Sequence, residues 1–429
     1  MGTAKRARGE IEALEATLQT ALAHLNACVR CGLCGASCHI YLSDPTPENL
    51  PASKAEKVAR LQRRRGTLLG RLLPWIVGAR EITPGALQEL SEAVYGRCTA
   101  CGRCGLHCAV GVDIHRIIMA GRALLAEADR VPGSLARTVA NQITTGNQMA
   151  ITREEFLETA AWLSEELARE TGDPEARLRV DEPGSRILYL VNPREVKFFP
   201  LSLQAAAGVF RAAGESWTLS SRVYDVTNYG FFASDSAAAG ELTKRAVNEA
   251  RNLGVSEIVL SECGHGFRSF RWEGANWLGE PLPVPVRSVL ELLDGYLAQG
   301  RLRVDPTRNA ARATLHDPCN LVRWGGIIEP QRRVLRRVTA DLVEMVPNRE
   351  HNYCCGGGGG MLSLDEYGER RIRSGKLKAD QIRATGASIV VSPCHNCADQ
   401  LIELDRVYGL GVEVRSVVEM VYDALVPGR

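Results

Sequence analysis

The chain has 429 residues, 45% hydrophobic and 24% charged, with a formal net charge of +2 at neutral pH. That length allows two to four domains with cores of their own, and the charge balance gives no electrostatic case for nucleic acid, which needs a clustered basic footprint. Fourteen cysteines are the compositional oddity, and their placement decides what they mean.

The sequence opens Met-Gly-Thr-Ala-Lys and runs into a charged, helix-periodic segment without the apolar stretch of a secretory leader. A reducing cytoplasm is therefore the expected setting, where spaced cysteines mean metal rather than disulfides. The most apolar stretch, 67 to 79, is too short to span a bilayer and carries Arg71 and Pro74. Any membrane association is expected through a partner or an interfacial helix. The run Arg63-Arg64-Arg65 reads as solvated surface.

Residues 9 to 26 place Ile11, Leu14, Leu18, Leu22 and Leu25 at three- and four-residue spacing, an amphipathic helix leading to Cys28. Then come Cys28, Cys31, Cys34 and Cys38, and a second run of identical spacing, Cys98, Cys101, Cys104 and Cys108. Both have the bacterial ferredoxin pattern C-x2-C-x2-C-x3-C, in which the fourth cysteine of each run ligates the other of two cubane [4Fe–4S] clusters. One cluster is expected on Cys28, Cys31, Cys34 and Cys108, the other on Cys98, Cys101, Cys104 and Cys38. His39 and Ala109 stand where a proline usually follows the fourth cysteine. A structural zinc also uses C-x2-C pairs, but two complete four-cysteine runs point to clusters. Between the runs, 54 to 73 reads as a helix. Its apolar patch of Leu68, Leu69, Leu72, Leu73, Trp75 and Ile76 is expected to pack on the cluster domain, with docking to a membrane subunit as the other reading.

Residues 113 to 128 and 153 to 170 read as helices, and Asp173-Pro174 and 181 to 184 mark a boundary. Beyond it strands alternate with helices, which argues for α/β layers. The strands are Arg186 to Asn192, Glu257 to Cys263, Arg312 to His316 and Ser388 to Cys394; the helices lie around Ser202 to Ala213, up to Leu253, Gln331 to Met345 and Glu366 to Thr385. The two halves can be aligned: Asn192-Pro193-Arg194 falls on Asp317-Pro318-Cys319, Asn228-Tyr229-Gly230 on Cys354-Cys355-Gly356, and Ser261-Glu262-Cys263 on Ser392-Pro393-Cys394. The offsets are 125, 126 and 131, the mark of one duplicated unit. The second copy keeps Cys319, Cys354, Cys355, Cys394 and Cys397; the first keeps Cys263.

The adjacent pair Cys354-Cys355 would form a strained vicinal disulfide. The glycines from Gly356 to Gly360 give backbone that lets a bulky object, such as an iron–sulfur cluster, come close. The pattern Cys319, Cys354-Cys355-Gly356, Cys394-His-Asn-Cys397 resembles the CCG domain of heterodisulfide reductases. With the two-cluster module before it, residues 28 to about 420 resemble the catalytic D subunit of the membrane-bound enzymes. The altered first copy, with Asn228-Tyr229-Gly230 and Glu262-Cys263-Gly264-His265, is most similar to the K subunit of the dissimilatory sulfite-reduction complex and the B subunit of the transmembrane cytochrome c complex.

The resemblance implies an α+β and α/β fold in three parts. Residues 1–180 would form a helical ferredoxin-like domain, 181–305 a degenerate first CCG half, and 306–429 an intact second half. It implies one special [4Fe–4S] cluster, cubane or noncubane, on the five C-terminal cysteines, faced by Cys263. The implied function is that of a catalytic and electron-transfer subunit, reducing or reversibly oxidising a disulfide- or trisulfide-type substrate, a small molecule or a small protein carrying a persulfide. Its implied place is the cytoplasmic face of the cell membrane, held there by a cytochrome b-type or quinone-reactive subunit.

Five thiolates exceed the four a cubane needs, which points to a bridging thiolate or an exchangeable iron position. Released thiolates also need protons. His265, His316, His351 and His395 lie near site cysteines in sequence, with His265 and His395 the first choices as proton donors. No flavin or nicotinamide fingerprint follows the first strand and no phosphate loop is formed by the glycine run, so no flavin is expected in this chain. The alternative function is a pure electron relay beside a flavin dehydrogenase for glycolate, lactate or glycerol 3-phosphate. A structural scaffold would leave two relay clusters unexplained.

Overall fold

The computed structural model describes residues 21–426 of the chain. The expected helix at 9 to 26 is therefore seen as Leu22–Ala27, with Leu25 buried; Ile11, Leu14 and Leu18 lie outside the described residues. The chain divides into two compact units. One comprises the described residues up to Arg137 with Gly230–Asp235 and Tyr353–Leu377; the other comprises Thr138–Tyr229, Ser236–Asn352 and the described residues from Lys378.

The first unit is helical. Helices Pro51–Gly66 and Pro84–Ser91 begin on proline, whose missing N–H costs nothing in a first turn. Helix Ile114–Glu127 is capped by the Asp113 carboxylate, which accepts from Arg116 N at 3.1 Å. The helix expected over 54 to 73 is two helices, because Thr67 is extended and its hydroxyl accepts from Gly70 N at 3.0 Å, starting a new helix at Leu68–Leu72. The apolar patch of that second helix and its continuation does not pack on the cluster domain. Leu68, Leu69, Leu72, Trp75 and Ile76 are exposed.

At the centre of this unit lies Arg122, fully buried on helix Ile114–Glu127. Its guanidinium donates to Val94 O at 2.9 Å, Cys98 O at 2.9 Å, Phe232 O at 2.9 Å and Gly359 O at 2.7 Å, and lies 4.5 Å from the Tyr95 ring centroid. One rigid five-donor fork thus ties together the second cysteine run and the two distant segments that belong to this unit. The glycine run meets the same loop: Gly359, at φ 63°, has Thr99 O pressed against the place where a Cβ would stand. These glycines admit backbone of the ferredoxin loop, a closer neighbour than the sequence reading anticipates.

The second unit contains two four-stranded sheets, every pairing parallel. The first has β1 (Ile187–Leu190), β2 (Trp217–Thr218), β3 (Glu257–Leu260) and β4 (Val286–Ser288) in the order β2-β1-β3-β4. The second has β5 (Ala313–Leu315), β6 (Leu342–Glu344), β7 (Ile389–Val391) and β8 (Glu413–Arg415) in the order β6-β5-β7-β8. The central strands are buried and, apart from Glu257 and Thr314, apolar, as strands covered on both faces tend to be. The expected helix Gln331 to Met345 ends at Val338, and β6 follows. Thr339 is extended there, and Arg332 pairs with Asp317 (2.7 Å) and Glu344 (2.8 Å), holding β6 against its own helix. Helix Arg153–Thr171, bounded by a capping box at Thr152 and a left-handed Gly172, packs with this unit.

Asp225 anchors the loop that leads from the first sheet to Asn228 and Tyr229. Its carboxylate accepts from Thr227 N (2.7 Å), Thr227 Oγ1 (2.6 Å), Gln142 Nε2 (2.9 Å) and Gln148 N (2.8 Å). Burial nevertheless outweighs these bonds and raises its pKa to about 6.

Two outcomes follow from this architecture. Arg122→Met leaves buried carbonyls without donors and lowers stability by about 3 kcal/mol or more in chemical denaturation, with loss of cluster absorbance. For Asp225 the folded protein holds the carboxyl proton more tightly than the unfolded chain, so its contribution is complete below the unfolded pKa and is lost as pH rises towards 6. The stability of the wild type relative to Asp225→Asn therefore falls by about 3 kcal/mol between about pH 3 and neutral pH, most of it between about pH 4 and 6. A pH-independent difference in urea midpoints would contradict this.

Candidate iron–sulfur site

In the first unit eight cysteines line two cavities. Cys38, Cys98, Cys101 and Cys104 line one; Cys28, Cys31, Cys34 and Cys108 line the other. Each set of four takes three cysteines from one run and the last from the other. Each run turns through a left-handed glycine, Gly32 at φ 80° and Gly102 at φ 78°, which starts a short helical turn and faces its cysteines inward.

The donor chemistry fits a cationic group. Burial pushes the Cys104 thiol well above its ordinary range, and Cys101, Cys38 and Cys98 push it further. Burial likewise raises Cys34, with Cys28, Cys38 and Cys31 adding to the effect. Thiols this crowded cannot all ionise unless a metal compensates them, and metal binding releases their protons.

His39 lines the first of these cavities and is buried. Burial alone would depress its pKa, but the Cys101 hydrogen bond and the charges of Cys354, Cys101 and Cys38 carry it to about 9. The sequence reading noted His39 only as a replacement for the usual proline. Arg103 is also buried here, donating to Ser37 O at 2.8 Å while its guanidinium carbon lies 4.1 Å from the Tyr353 ring centroid. Cys354 and Cys355 belong to this unit and are buried, and Gly356 N donates to Cys354 Sγ at 3.4 Å. A cation–π stack and a buried histidine thus lie between the second cysteine run and the residues of the cysteine pair.

In the second unit the chemistry gathers at the carboxyl ends of the two inner strands of each sheet. Asn192 follows β1 and Cys263 follows β3; Cys319 follows β5 and Cys394 follows β7. The neighbours of an inner strand pair are reached by connections in opposite directions, which opens a crevice at that end of the sheet. Cys263 and Cys394 each also stand at the start of a helix, Gly264–Arg268 and His395–Tyr408. All of these cysteines are buried.

Cys263 accepts from Gly266 N at 3.3 Å and from Asn192 Nδ2 at 3.8 Å. Cys394 is held well below the ordinary thiol range, first by hydrogen bonds from Cys263 and Cys397 and then, against burial, by His265 and the Gly264 backbone. Cys263 is raised by burial and by Cys394. Cys394 is therefore the acidic sulfur of the pair. Cys319 is fixed through its neighbour Asp317, whose carboxylate takes the Arg332 fork and Arg349 N, and whose carbonyl accepts from Asn352 Nδ2.

The side chain of His265 is oriented by a chain of amides. Asn192 Oδ1 accepts from Arg194 N (3.1 Å), which can only donate, so Asn192 Nδ2 is the donor to Asn396 Oδ1 at 2.9 Å. Asn396 Nδ2 must then donate to His265 Nδ1, 2.6 Å away, and it also lies 3.3 Å from Tyr229 Oη. Neutral His265 consequently carries its proton on Nε2. Tyr229, buried at the position the alignment gives to Cys355, sets its ring edge-on to His265 at 6.1 Å.

His395 differs. It is buried with Nδ1 3.4 Å from Glu195 Oε1, and although burial opposes it, Glu195, Glu262 and Glu419 raise its pKa. Glu262, buried under Val417 N (2.7 Å) and Val418 N (3.1 Å), is itself pushed up to about 7. His395 is thus a buried partner of carboxylates. His316 is buried at the end of β5, and His351 is half exposed beside Glu350 at 3.6 Å. The sequence reading missed Asn192, Asn396 and Glu195. Asn396 could have been found, since it stands inside the Cys394-His-Asn-Cys397 motif.

Comparison with known proteins agrees with this division. Residues 24–112 match the 4Fe-4S dicluster domain family, and residues 313–402 match the cysteine-rich domain family CCG. The chain is 29% identical to the Hdr-like menaquinol oxidoreductase iron-sulfur subunit 2 of Archaeoglobus fulgidus, over 94% of this chain and 80% of that protein. It is 29% identical to the corresponding Hdr-like iron-sulfur subunit of Archaeoglobus profundus, over 94% of this chain and 79% of that protein. With the D subunit of the dihydromethanophenazine:CoB–CoM heterodisulfide reductase of Methanosarcina barkeri the identity is 25%, over 94% of this chain and 95% of that protein. The chain thus joins a match to the 4Fe-4S dicluster domain family to a match to the cysteine-rich CCG domain family, and over nearly its whole length it is similar to Hdr-like and heterodisulfide reductase iron–sulfur subunits.

Proposed function

We propose that this protein is the iron–sulfur catalytic and electron-transfer subunit of a membrane-associated redox complex, exchanging electrons with a quinone- or cytochrome-linked partner and reducing, or reversibly oxidising, a disulfide- or trisulfide-type substrate. Two cubane clusters would be held by Cys28, Cys31, Cys34 and Cys108 and by Cys98, Cys101, Cys104 and Cys38. A third would be held by the cysteines that fall together within the CCG match, Cys319, Cys354, Cys355, Cys394 and Cys397. Bound clusters supply electrons one at a time. The two sheets would be copies of one duplicated unit at 181–305 and 306–429, a reading supported by their identical strand order and by the matched places of Asn192 with Asp317 and Cys263 with Cys394.

The observation that carries the catalytic reading is the sulfur and proton arrangement around Cys394. A further thiol, Cys263, hydrogen-bonds to it, and beside them Asn396 holds His265 so that its neutral imidazole carries its proton on Nε2. A relay of electrons needs neither. Disulfide reduction develops negative charge on each sulfur released, and an oriented N–H stabilises it. In this reading Cys263 faces the substrate sulfur, the Nε2–H of His265 hydrogen-bonds the thiolate as it forms, Asn396 holds the tautomer, and the protons taken up by the released thiols come from solvent. His395, paired with Glu195, holds charge near Cys394.

Iron analysis of the purified chain should give about twelve irons, falling to about eight in Cys354→Ser/Cys355→Ser. Equal iron in both would remove the third cluster. Electron paramagnetic resonance of the oxidised protein should show a new species on adding a thiol or disulfide; an unchanged spectrum makes the chain a relay to a flavin dehydrogenase partner. His265→Gln should lower turnover by about 10²-fold or more with cluster spectra intact, and Asn396→Leu should shift the pH profile of turnover while leaving iron content unchanged.

A further inference from the structure

We propose that residues 67–79 of the first unit form a membrane-surface anchor, inserting apolar side chains into the headgroup boundary of an anionic lipid bilayer. Leu68, Leu69, Leu72, Trp75 and Ile76 are between 54 and 73% exposed, although they follow one another within nine residues of sequence. A contiguous apolar surface of this kind is not the ordinary scatter of exposed hydrophobics.

The segment is built from its inner side. Gly70 is buried against helix Pro51–Gly66, with Arg63 O occupying the place where a Cβ would stand, so no larger residue fits. Arg64 Nη1 donates to Gly70 O (3.1 Å) and Arg71 O (2.9 Å), Arg60 Nε to Gly78 O (3.1 Å), and Arg80 N to Arg60 O (2.9 Å). The backbone is therefore fixed, and what it presents outward is leucine, tryptophan and isoleucine.

The charge around the patch identifies the occupant. From Lys57 to Arg80 the sequence has seven Lys or Arg and no Asp or Glu. Glu56, Glu81 and Glu89 pair with Arg63, Arg64 and Arg80, and the excess stays positive. Apolar and tryptophan side chains rimmed by arginine are the pattern of a helix lying in the interface of an acidic membrane, where basic residues add electrostatic attraction to apolar insertion. Among the described residues no helix is long and apolar enough to cross a membrane, so this contact would be made from one side.

The inference shares with the functional reading only the expected place at a membrane, and its test has no redox readout. The full-length protein with its clusters, prepared without any membrane subunit, is floated with vesicles of phosphatidylcholine alone and with vesicles containing phosphatidylglycerol. Flotation is expected with the anionic vesicles, reduced at high salt, and reduced at least about tenfold by Leu69→Ser/Trp75→Ser with iron content and cluster absorbance unchanged. Failure of the wild type to float with anionic vesicles overturns the proposal, as does flotation seen only when a membrane subunit is reconstituted in them. If the double variant does not fold, salt-insensitive flotation or equal flotation with neutral vesicles overturns it instead.

Discussion

The first unit depends on one buried cation. Arg122 lies in the interior without solvent and distributes its donors among carbonyls of Val94, Cys98, Phe232 and Gly359. Taking a guanidinium out of water is costly unless its donors are satisfied, and here a single side chain satisfies carbonyls of segments separated by more than a hundred residues. Desolvation lowers its pKa, while Tyr95 and Cys98 favour the charged form. A cation at this place complements thiolates at the neighbouring cavity. The same residue that closes the core therefore also fixes the loop carrying Cys98 and the glycine run after Cys355.

The second unit reaches its chemistry by a different route. Parallel strands bring side chains to one end of each sheet, and the order of the strands opens a crevice there. Cys263 and Cys394, three residues past β3 and β7, thereby cap the helices that follow, where backbone N–H groups favour a thiolate. Cys394 is low because donors surround it; Cys263 is high because it is buried and keeps its proton as the donor of a hydrogen bond to Cys394. Asn192, Asn396 and Tyr229 then turn His265 into a donor of fixed sense. Polar residues in a crevice lined by sulfur are costly unless each is satisfied, and this network satisfies them in sequence.

The cysteine pattern was legible because cluster ligation imposes spacing on consecutive residues, and two identical runs leave few readings. Central strands β1, β3, β5 and β7 were equally legible, since strands covered on both faces are mostly apolar. The edge strands were not. β6 and β8 are three residues each and carry charge, so nothing local distinguishes Leu342–Glu344 from a helix end or Glu413–Arg415 from a loop. The apolar segment after Thr67 misled for the opposite reason. Its periodicity resembles that of a core helix, and only the burial of Gly70 shows that its apolar face is the outward one.

By itself, then, the sequence determined the eight ferredoxin-type cysteines, the CCG motif and the alternation of strand and helix, because these are set by short-range spacing and by periodicity. Tertiary structure decided that Gly359 makes room for Thr99, that His395 lies 3.4 Å from the Glu195 carboxylate, and that His265 takes the Asn396 amide. Those facts depend on residues far apart in the chain meeting in space, and no local pattern encodes the side chain that will be found opposite.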